Sequence, residues 1–405
     1  MPTLPHHLMV AMHRGEITPA EAFRRAANVP VPSGGIPAAA FLPPSVLRSR
    51  AYASLVTACA SFGVRLDGQT TLSNRARRWA ENKRVVTWGV KARNDAYFAD
   101  GHKTLLVENG LLGQRNGVYV DHMGYFADSS ICKDKQPAPS LYEVAMLERH
   151  VRKVYGWDLF SGSDPTGPVL LACQTPNDAP TRAPYFTHGS PGVNVSRRLL
   201  ELAEEHLPTG TLVRVRPHPR APRALDGMTL PEGWHMDPHA NLADSLPECR
   251  AVVTVTSTVA VEALTLGLPV ATFGRSVWAS CDAMLKCHRN PARVADVLTA
   301  EVDQYNALGL LCAIQRHHIP YGAGLHTVLA CPSVIAWLES VTGKPGTVVS
   351  AVAKQSTTRI RLHGDPARIE RLASIERQIK GGCTCARTRH QRSIIDLARG
   401  MECDT

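Results

Sequence analysis

Two stretches of sequence decide the fold: TLVRVRPHP at residues 211–219 and AVVTVTSTVAVEALTLG at residues 251–267. The first alternates apolar residues and then meets two prolines, which predicts a short core strand ending at Arg216. The second begins as a β-branched run long enough for one buried strand. A helix over 259–266 follows, with Ser257 or Thr258 as its N-cap and Gly267 at its end. Strands alternating with helices predict an α/β fold with parallel sheets and right-handed crossovers.

Polar residues follow both strands at their carboxyl ends, where open parallel sheets bind ligands. Arg216 and His218 follow the first strand, and Ser257 and Thr258 precede a helix whose N-terminus favours anions. We therefore expect a phosphate-binding site at this edge. A simpler interpretation stays open, because a capped helix needs no ligand. In it, His218 is a loop histidine and Arg216 forms a surface salt bridge.

Length and charge limit the classes of protein. A chain of 405 residues exceeds the size of most single cores and predicts two domains. Hydrophobic residues make up 44% and charged residues 20%, which is typical of soluble globular proteins. The net charge of +10 favours polyanionic partners, namely nucleotide phosphates, nucleic acid or acidic lipid surfaces, and does not rank them.

The pattern along the chain predicts four segments. Residues 1–50 form a Pro/Ala-rich extension, with a helix starting at Thr18 and an irregular tether that runs to Pro37. A first Rossmann-like domain covers 51–160, and a second covers 161–345. The boundary is placed at the cluster of Gly, Asp and Pro between Tyr155 and Gly167. A basic tail occupies 346–405.

Inside the first domain the sequence predicts a helix, three strands and a second helix, at 49–62, 84–89, 103–110, 117–121 and 141–154. The strand at 117–121 is expected to form a hairpin with 124–126. After Trp278 the chain is expected to be helical to about Gly343. Polar residues again stand at predicted strand ends, at Glu108 and Asn109 in the first domain and at Gln174 and Asp178 in the second.

Cysteines and apolar runs indicate the compartment. Eleven cysteines at irregular spacing, with no signal peptide at the N-terminus, predict free thiols and a cytoplasmic protein. Cys383 and Cys385 lack the second ligand pair of a structural zinc site, so we expect no metal there. The longest apolar stretch, residues 251–273, contains Glu262 and Pro269, and we interpret it as buried sheet with no transmembrane segment.

The motifs in this order resemble those of bacterial capsular polysaccharide glycosyltransferases of the β-Kdo transferase type. The resemblance covers roughly residues 84–282. The motifs that carry it are Trp88-Gly89, Glu108-Asn109-Gly110, Tyr119-Val120-Asp121, Gly124-Tyr125-Phe126, Gln174 to Asp178, Arg216-Pro217-His218-Pro219, and Thr256-Ser257-Thr258 with Glu262 and Gly267-Leu268-Pro269. This chain departs from the family at two places. The family usually has Asp where this chain has Asn109. In the family an acidic residue and a Ser follow the Gln motif, whereas here Asp178 is followed by Ala179.

This resemblance implies a GT-B enzyme, in which two Rossmann-like domains face each other across a cleft. The second half would hold a nucleotide-sugar donor, with no other cofactor. His218 and the amides at Ser257 and Thr258 would neutralise the leaving phosphate, and Arg216 would add charge. No DxD element is placed to hold a divalent ion, so metal independence is predicted.

Carboxylates would supply the remaining chemistry. Glu262 would bind ribose hydroxyls, unless it is a buried acid tied to the backbone. Glu108, Asp121 and Asp178 are the candidates for acid/base work on the acceptor, and each could equally be a turn or cap residue. The acceptor would be a glycan or glycolipid, which allows peripheral membrane contact.

Two alternatives use the same residues differently. A phage-type DNA glycosyltransferase acting on 5-hydroxymethyl-pyrimidines fits the basic charge, although no DNA-reading motif is visible. A non-catalytic module that binds a nucleotide or a glycan would also keep this fold. Asn109 and the altered Asp178 segment would be its signature.

Overall fold

The computed structural model describes residues 35–69, 84–89, 103–113, 116–124, 128–134, 136–175 and 194–343. Within these ranges the strands are β1 Ile36–Phe41, β2 Val64–Gln69, β3 Arg84–Trp88, β4 Lys103–Asn109, β5 Gly117–Asp121, β6 Val169–Ala172, β7 Val213–Arg216, β8 Trp234–Met236, β9 Ala251–Thr254, β10 Val270–Thr272, β11 Leu285–Lys286 and β12 His318–Pro320. The α-helices are α1 Pro44–Leu47, α2 Arg50–Ser61, α3 Ser130–Lys133, α4 Leu141–Tyr155, α5 Val195–His206, α6 Leu242–Ser245, α7 Val259–Leu266, α8 Gln304–Arg316, α9 Leu325–Leu329 and α10 Pro332–Thr342, and 3₁₀ helices cover Leu246–Glu248 and Pro291–Leu298.

The described chain divides into two compact α/β units. One contains the described residues up to Asp134, the short segment Arg275–Ser280 and the described chain from Ile314 to Gly343; the other contains the described residues within Lys135–Gly274 and Cys281–Ala313. Each unit has its own sheet and its own hydrophobic core. The predicted α/β class with two Rossmann-like units is therefore confirmed.

The sheet of the second unit has the order β11-β10-β9-β6-β7-β8, and all its neighbouring strands are parallel. The chain starts at the central β6, moves outward through β7 and β8, and then returns to the other side of β6 at β9. This is the doubly wound Rossmann arrangement, whose switch point lies between β6 and β9. Ligands bind beyond the carboxyl ends of the strands at such a point.

The sheet of the first unit has the order β12-β5-β4-β3-β1-β2. Strands β1 to β4 are mutually parallel, β5 is antiparallel to β4, and β12 is antiparallel to β5. The four strands predicted at 84–89, 103–110, 211–216 and 251–256 are confirmed, as are the helices predicted at 49–62, 141–154 and 259–266. Ser49 and Ser140 cap two of these helices, and Ser140 forms a capping box with Glu143.

The expected tether through Pro37 is wrong, because Pro37 lies inside β1. β1 pairs with β2 along its whole length, whereas its pairing with β3 begins only at Ala39. Pro37 therefore stands where one side of the strand has no partner in β3, a position that tolerates a missing N–H group. The rest of the predicted extension, residues 1–34, lies outside the described residues.

Other expectations also differ from the structure. The strand predicted at 117–121 pairs with β4 and β12. Tyr125 and Phe126 of its expected hairpin partner at 124–126 lie outside the described residues. The chain after Trp278 is not helical throughout, because β11 and β12 interrupt it. β12 has three residues, and it forms because β5, about 200 positions earlier in the chain, offers it hydrogen bonds.

The boundary between the units falls between Asp134 and Lys135, whereas the sequence placed it near residue 160. The glycine-rich segment between Tyr155 and Gly167 is a loop of the second unit, to which it is hydrogen-bonded. Its amides at Phe160 and Gly162 donate to Thr265 O and Leu266 O at 2.8 and 2.9 Å. The basic tail from residue 346 lies outside the described residues.

No described helix is long and apolar enough to cross a membrane. The eight cysteines in the described part of the chain are free thiols. The cytoplasmic location stays a prediction.

Candidate functional site

Three strand ends of the second unit lie in one row. The register pairs Ala172 at the end of β6 with Arg216 of β7 on one side and Thr254 of β9 on the other. Neighbouring strands are about 4.8 Å apart, so β7 and β9 are separated by roughly 10 Å. The residues that follow Arg216 and Thr254 therefore flank the switch point from both sides.

The Gln174 side chain crosslinks two neighbouring strands at this edge of the sheet. Its buried amide accepts from Thr256 N–H at 2.7 Å and donates to Thr256 Oγ1 at 3.0 Å, which joins the ends of β6 and β9. Its backbone carbonyl accepts from Ser196 Oγ of α5 at 2.6 Å. Ser257 is therefore held in place through its neighbour. The sequence marked Gln174 only as a polar residue at a strand end and gave no sign of this crosslink.

His218 lies in a turn that fixes the orientation of its ring. Ala221 N–H donates to the carbonyl of His218 at 2.8 Å, and Arg220 N–H donates to its Nδ1 at 3.1 Å. Pro219 occupies the second position of this turn, where its fixed φ is favourable. Because Nδ1 accepts a hydrogen bond, the neutral ring carries its hydrogen on Nε2. The half-buried imidazole thus has its hydrogen-bond donor at Nε2.

The helix α7 begins shortly after β9 ends, on the other flank of the switch point from the His218 turn. Thr258 is the N-cap and its side chain makes no capping hydrogen bond, while Ser257 Oγ lies 3.4 Å from Val259 N. Both residues are half-buried. Gly267 ends the helix in the left-handed region, at a φ of 88°, as predicted. The helix N-terminus therefore supplies positive dipole ends at the carboxyl edge of the sheet.

The Arg216 guanidinium forms hydrogen bonds with other groups of the protein. Its Nη1 pairs with Asp237 and also donates to the His239 carbonyl at 2.9 Å, while Nη2 donates to the Ala240 carbonyl at 3.0 Å. The Asp237 side chain is 1% exposed, so this is not the surface salt bridge considered from the sequence. The arrangement favours a structural role, in which Arg216 fastens the end of β7 to the loop after β8. The sequence did not single out Asp237.

Glu262 has a carboxyl group whose pKa lies near neutral pH. Burial raises its pKa from 4.5 to about 7, although the Tyr155 phenol and the Arg216 guanidinium pull it in the other direction. Tyr155 stacks on Trp157 with ring centroids 5.0 Å apart, and Trp157 Nε1 donates to Thr265 Oγ1 at 3.2 Å. A protonated carboxyl both donates and accepts, which suits it to hydroxyl groups.

In the first unit, Glu108 stands at the end of β4 beside the end of β3. Its Oε1 accepts from the backbone N–H of Asn109 at 2.8 Å and from Asn109 Nδ2 at 3.0 Å. A side-chain Cβ on Gly89 would lie 3.1 Å from Glu108 Oε2, and Gly89 has a φ of 67°. Glycine is thus favoured there both by the backbone and by the carboxylate. Glu108 also contributes to raising the pKa of the Tyr321 phenol, whose main cause is burial.

Asp121 is fully buried and saturated with donors. It accepts from Tyr119 Oη and Ser130 Oγ, each at 2.7 Å, and from the amides of Met123, Gly124 and Ser130. This geometry favours the turn-residue interpretation, in which the carboxylate organises the loop after β5. Asp178, the third candidate acid, lies outside the described residues.

The described residues contain no group of three or more His, Cys, Asp or Glu side chains that could hold a metal ion. Metal independence stays a prediction, as do the roles of all the site residues. Cys383 and Cys385, where no metal is expected, lie outside the described part of the chain.

No family model matches the chain, and no curated protein matches it in sequence. Among solved structures it is similar to the β-Kdo 2,7 transferase of Thermosulfurimonas dismutans KpsC, at 14% identity and a TM-score of 0.47, over 72% of this chain and 98% of that one. The β-Kdo 2,4 transferase of the same KpsC has 17% identity and a TM-score of 0.43, over 67% and 89%. Methanocaldococcus jannaschii UDP-GlcNAc 2-epimerase, in complex with UDP-GlcNAc and UDP, has 10% identity and a TM-score of 0.31, over 66% and 92%. These are likenesses of fold, and they leave the donor and the acceptor open.

Proposed function

We propose that this chain is a metal-independent glycosyltransferase that moves a sugar from a nucleotide-sugar donor to a glycan or glycolipid. The supporting observation is the switch point between β6 and β9, where Gln174 joins the two strand ends and the α7 N-terminus opens at the sheet edge. Open α/β sheets bind phosphate-bearing ligands at this place. An ordinary capped helix explains the Ser257 turn, but it leaves unexplained the Gln174 crosslink and the oriented His218 ring on the opposite flank of the switch point.

These contacts suggest a role for each site residue in the proposed transfer reaction. His218 Nε2–H and the amide dipoles at Ser257 and Thr258 would stabilise the charge that develops on the leaving phosphate. Glu262, whose pKa of about 7 leaves it partly protonated at neutral pH, would bind the ribose hydroxyls. Arg216 would contribute through Asp237 and the β7 loop, and not by direct contact with phosphate. Glu108 is the proposed proton acceptor for the acceptor hydroxyl, because Asp121 is already saturated.

A pair of histidine variants tests the donor site. Asn at position 218 can place its Oδ1 where Nδ1 accepts from Arg220, so H218N should keep the turn and lose the Nε2–H donor. His235 is exposed on the edge strand β8 of the same unit, and H235N is the matched control. We expect H218N to lower turnover about 10²–10³-fold, the cost of removing one donor to a developing anion. H235N should match the wild type.

The assay offers CMP-Kdo, UDP-sugars and GDP-sugars with EDTA present, with a phosphatidylglycerol-linked sugar as acceptor. Binding of CMP, UDP or GDP is compared with that of the corresponding nucleoside. H218N should weaken the nucleotide and leave the nucleoside unchanged. Equal weakening of both would contradict the proposed phosphate site, and loss of turnover in EDTA would contradict the proposed metal independence.

The alternatives are outcomes of the same assay. Turnover of a UDP-sugar only with hydroxymethylated DNA would indicate a DNA glycosyltransferase, which no observation on the described residues favours. Nucleotide binding without turnover on any acceptor would indicate a non-catalytic module.

A further inference from the structure

Gly274 follows β10 at the edge of the second sheet where the candidate phosphate site lies. Its N–H donates to the carbonyl of Val255 at 2.9 Å, which continues the pairing of β10 with β9 beyond the ends of both strands. Val255 comes two residues before Ser257. The end of β10 therefore supports the turn into α7 from one side, while Gln174 at the end of β6 supports it from the other.

The contact at Gly274 leaves no room for a side chain. A Cβ there would lie 2.3 Å from Thr256 Cγ2, 3.0 Å from Val255 O and 3.1 Å from Val255 Cγ1. Two carbon atoms in favourable contact are about 3.5–4.0 Å apart, so the first separation is a severe clash. The φ of Gly274 is outside the left-handed region. Glycine is thus required here by space and not by backbone conformation.

The Thr256 methyl group is not free to turn away from such a clash. Thr256 Oγ1 accepts from Gln174 Nε2 at 3.0 Å, and Thr256 N–H donates to Gln174 Oε1 at 2.7 Å. A rotation about χ1 that moved Cγ2 would also take Oγ1 away from Gln174, and β-branched side chains are stiff at χ1. A side chain at position 274 would therefore displace the backbone between Val255 and Ser257.

Ser257 is the residue at which such a displacement would affect binding. Its carbonyl accepts from Ala260 N–H at 3.0 Å, and its Oγ lies 3.4 Å from Val259 N. In the part of the chain that the structure describes, the Ser257 N–H donates to no other group. The residue is half-buried beside the N-terminus of α7. A backbone donor without an internal partner at such a place is suited to an anion.

We propose that Gly274 is a positioning residue for the donor phosphate. Because it has no side chain, the end of β10 packs directly on Val255 and Thr256, and this contact holds the Ser257 N–H where it meets a phosphate oxygen. This inference rests on the proposed function. All the residues involved belong to the second unit.

The test is a double-mutant cycle of G274A and T256S, with the nucleotide among CMP, UDP and GDP that the wild type binds best. T256S removes the methyl group that a Cβ at 274 would meet and keeps a hydroxyl for Gln174. We expect G274A to weaken nucleotide binding by about tenfold or more, the effect of losing one hydrogen bond to a charged group. Adding G274A to T256S should weaken binding much less, because only the contacts with Val255 stay tight.

Two outcomes of this cycle would overturn the inference. One is a folded G274A protein that is less stable in urea and binds the nucleotide as tightly as the wild type, since that result indicates a purely structural role. The other is an equal loss of affinity with and without T256S. If G274A alone is too unstable to assay, the double variant decides, and it should fold and bind about as tightly as T256S.

G309A is the matched control. Gly309 lies inside α8 of the same unit, and a Cβ there meets nothing within 4 Å. Alanine is favoured over glycine in a helix interior, so G309A should not lose stability. It should bind the nucleotide as the wild type does.

A second readout separates this inference from the proposed function. In ¹⁵N-labelled protein, the Ser257 amide signal is assigned from S257A. It should shift in G274A relative to the wild type and move less when G274A is added to T256S, and an unchanged signal in G274A would overturn the inference. If the wild type binds none of the three nucleotides, the proposed function fails, while this signal still decides whether Gly274 fixes the turn at Ser257.

Discussion

Replacing Glu262 with Gln should make the second unit more stable at pH 8 and leave its stability nearly unchanged at pH 4. The pKa of this carboxyl is 4.5 in a solvated reference state and about 7 in the fold, because burial disfavours the ionised form. Between these values the folded state keeps a proton that the unfolded state has lost, so stability falls as pH rises. At about 1.4 kcal/mol per pKa unit, the loss above pH 7 is at most about 3.5 kcal/mol. Gln cannot ionise and still accepts a hydrogen bond from Tyr155.

The assay is urea unfolding at several pH values between 4 and 8.5, with hydrogen exchange of the β6 and β9 amides to report on the second unit alone. Glu262 is half-buried, so water screens part of the effect, and we expect a gain of about 1–3 kcal/mol at pH 8. Glu201 is exposed on α5, and E201Q should stay within about 0.5 kcal/mol of the wild type at every pH. An E262Q gain that is equal at pH 4 and pH 8, or absent at both, would refute the reasoning.

Two further predictions concern the first unit. G89A and G63A both replace a glycine at positive φ, and each should cost about 1–2 kcal/mol in urea unfolding. Only a Cβ at position 89 meets Glu108, so G89A should also lower the transfer rate by about tenfold or more, and equal rates in the two variants would argue against Glu108 as the proton acceptor. Burial lowers the pKa of His317 below 6.5, so the wild type should lose thermal stability as pH falls below that value. H317N keeps a donor for the Val120 carbonyl and should lose less stability than the wild type between pH 7 and pH 5, and an identical loss would show that another group titrates.

The fold class was predictable because its signals are local. The β-branched run before Ser257 and the Gly267 stop both depend on residues adjacent in sequence, and the structure places strand and helix there. The same holds for the turn at His218, whose prolines end β7. Pairing of short segments far apart in the chain was not predictable. β12 has three residues and no periodic pattern, and its partner β5 alone makes it a strand.

The candidate site, too, was predictable only where its features depend on local sequence. The sequence by itself determined which polar residues stand at strand ends, because strand and helix boundaries follow from apolar periodicity, proline and glycine. Only the tertiary structure decided the state of those residues, since that depends on groups brought from distant positions. Arg216 is occupied because Asp237 lies beside it, and the pKa of Glu262 rises to about 7 because burial disfavours the ionised carboxyl. Burial and partner charges are properties of the folded environment, and no local pattern encodes them.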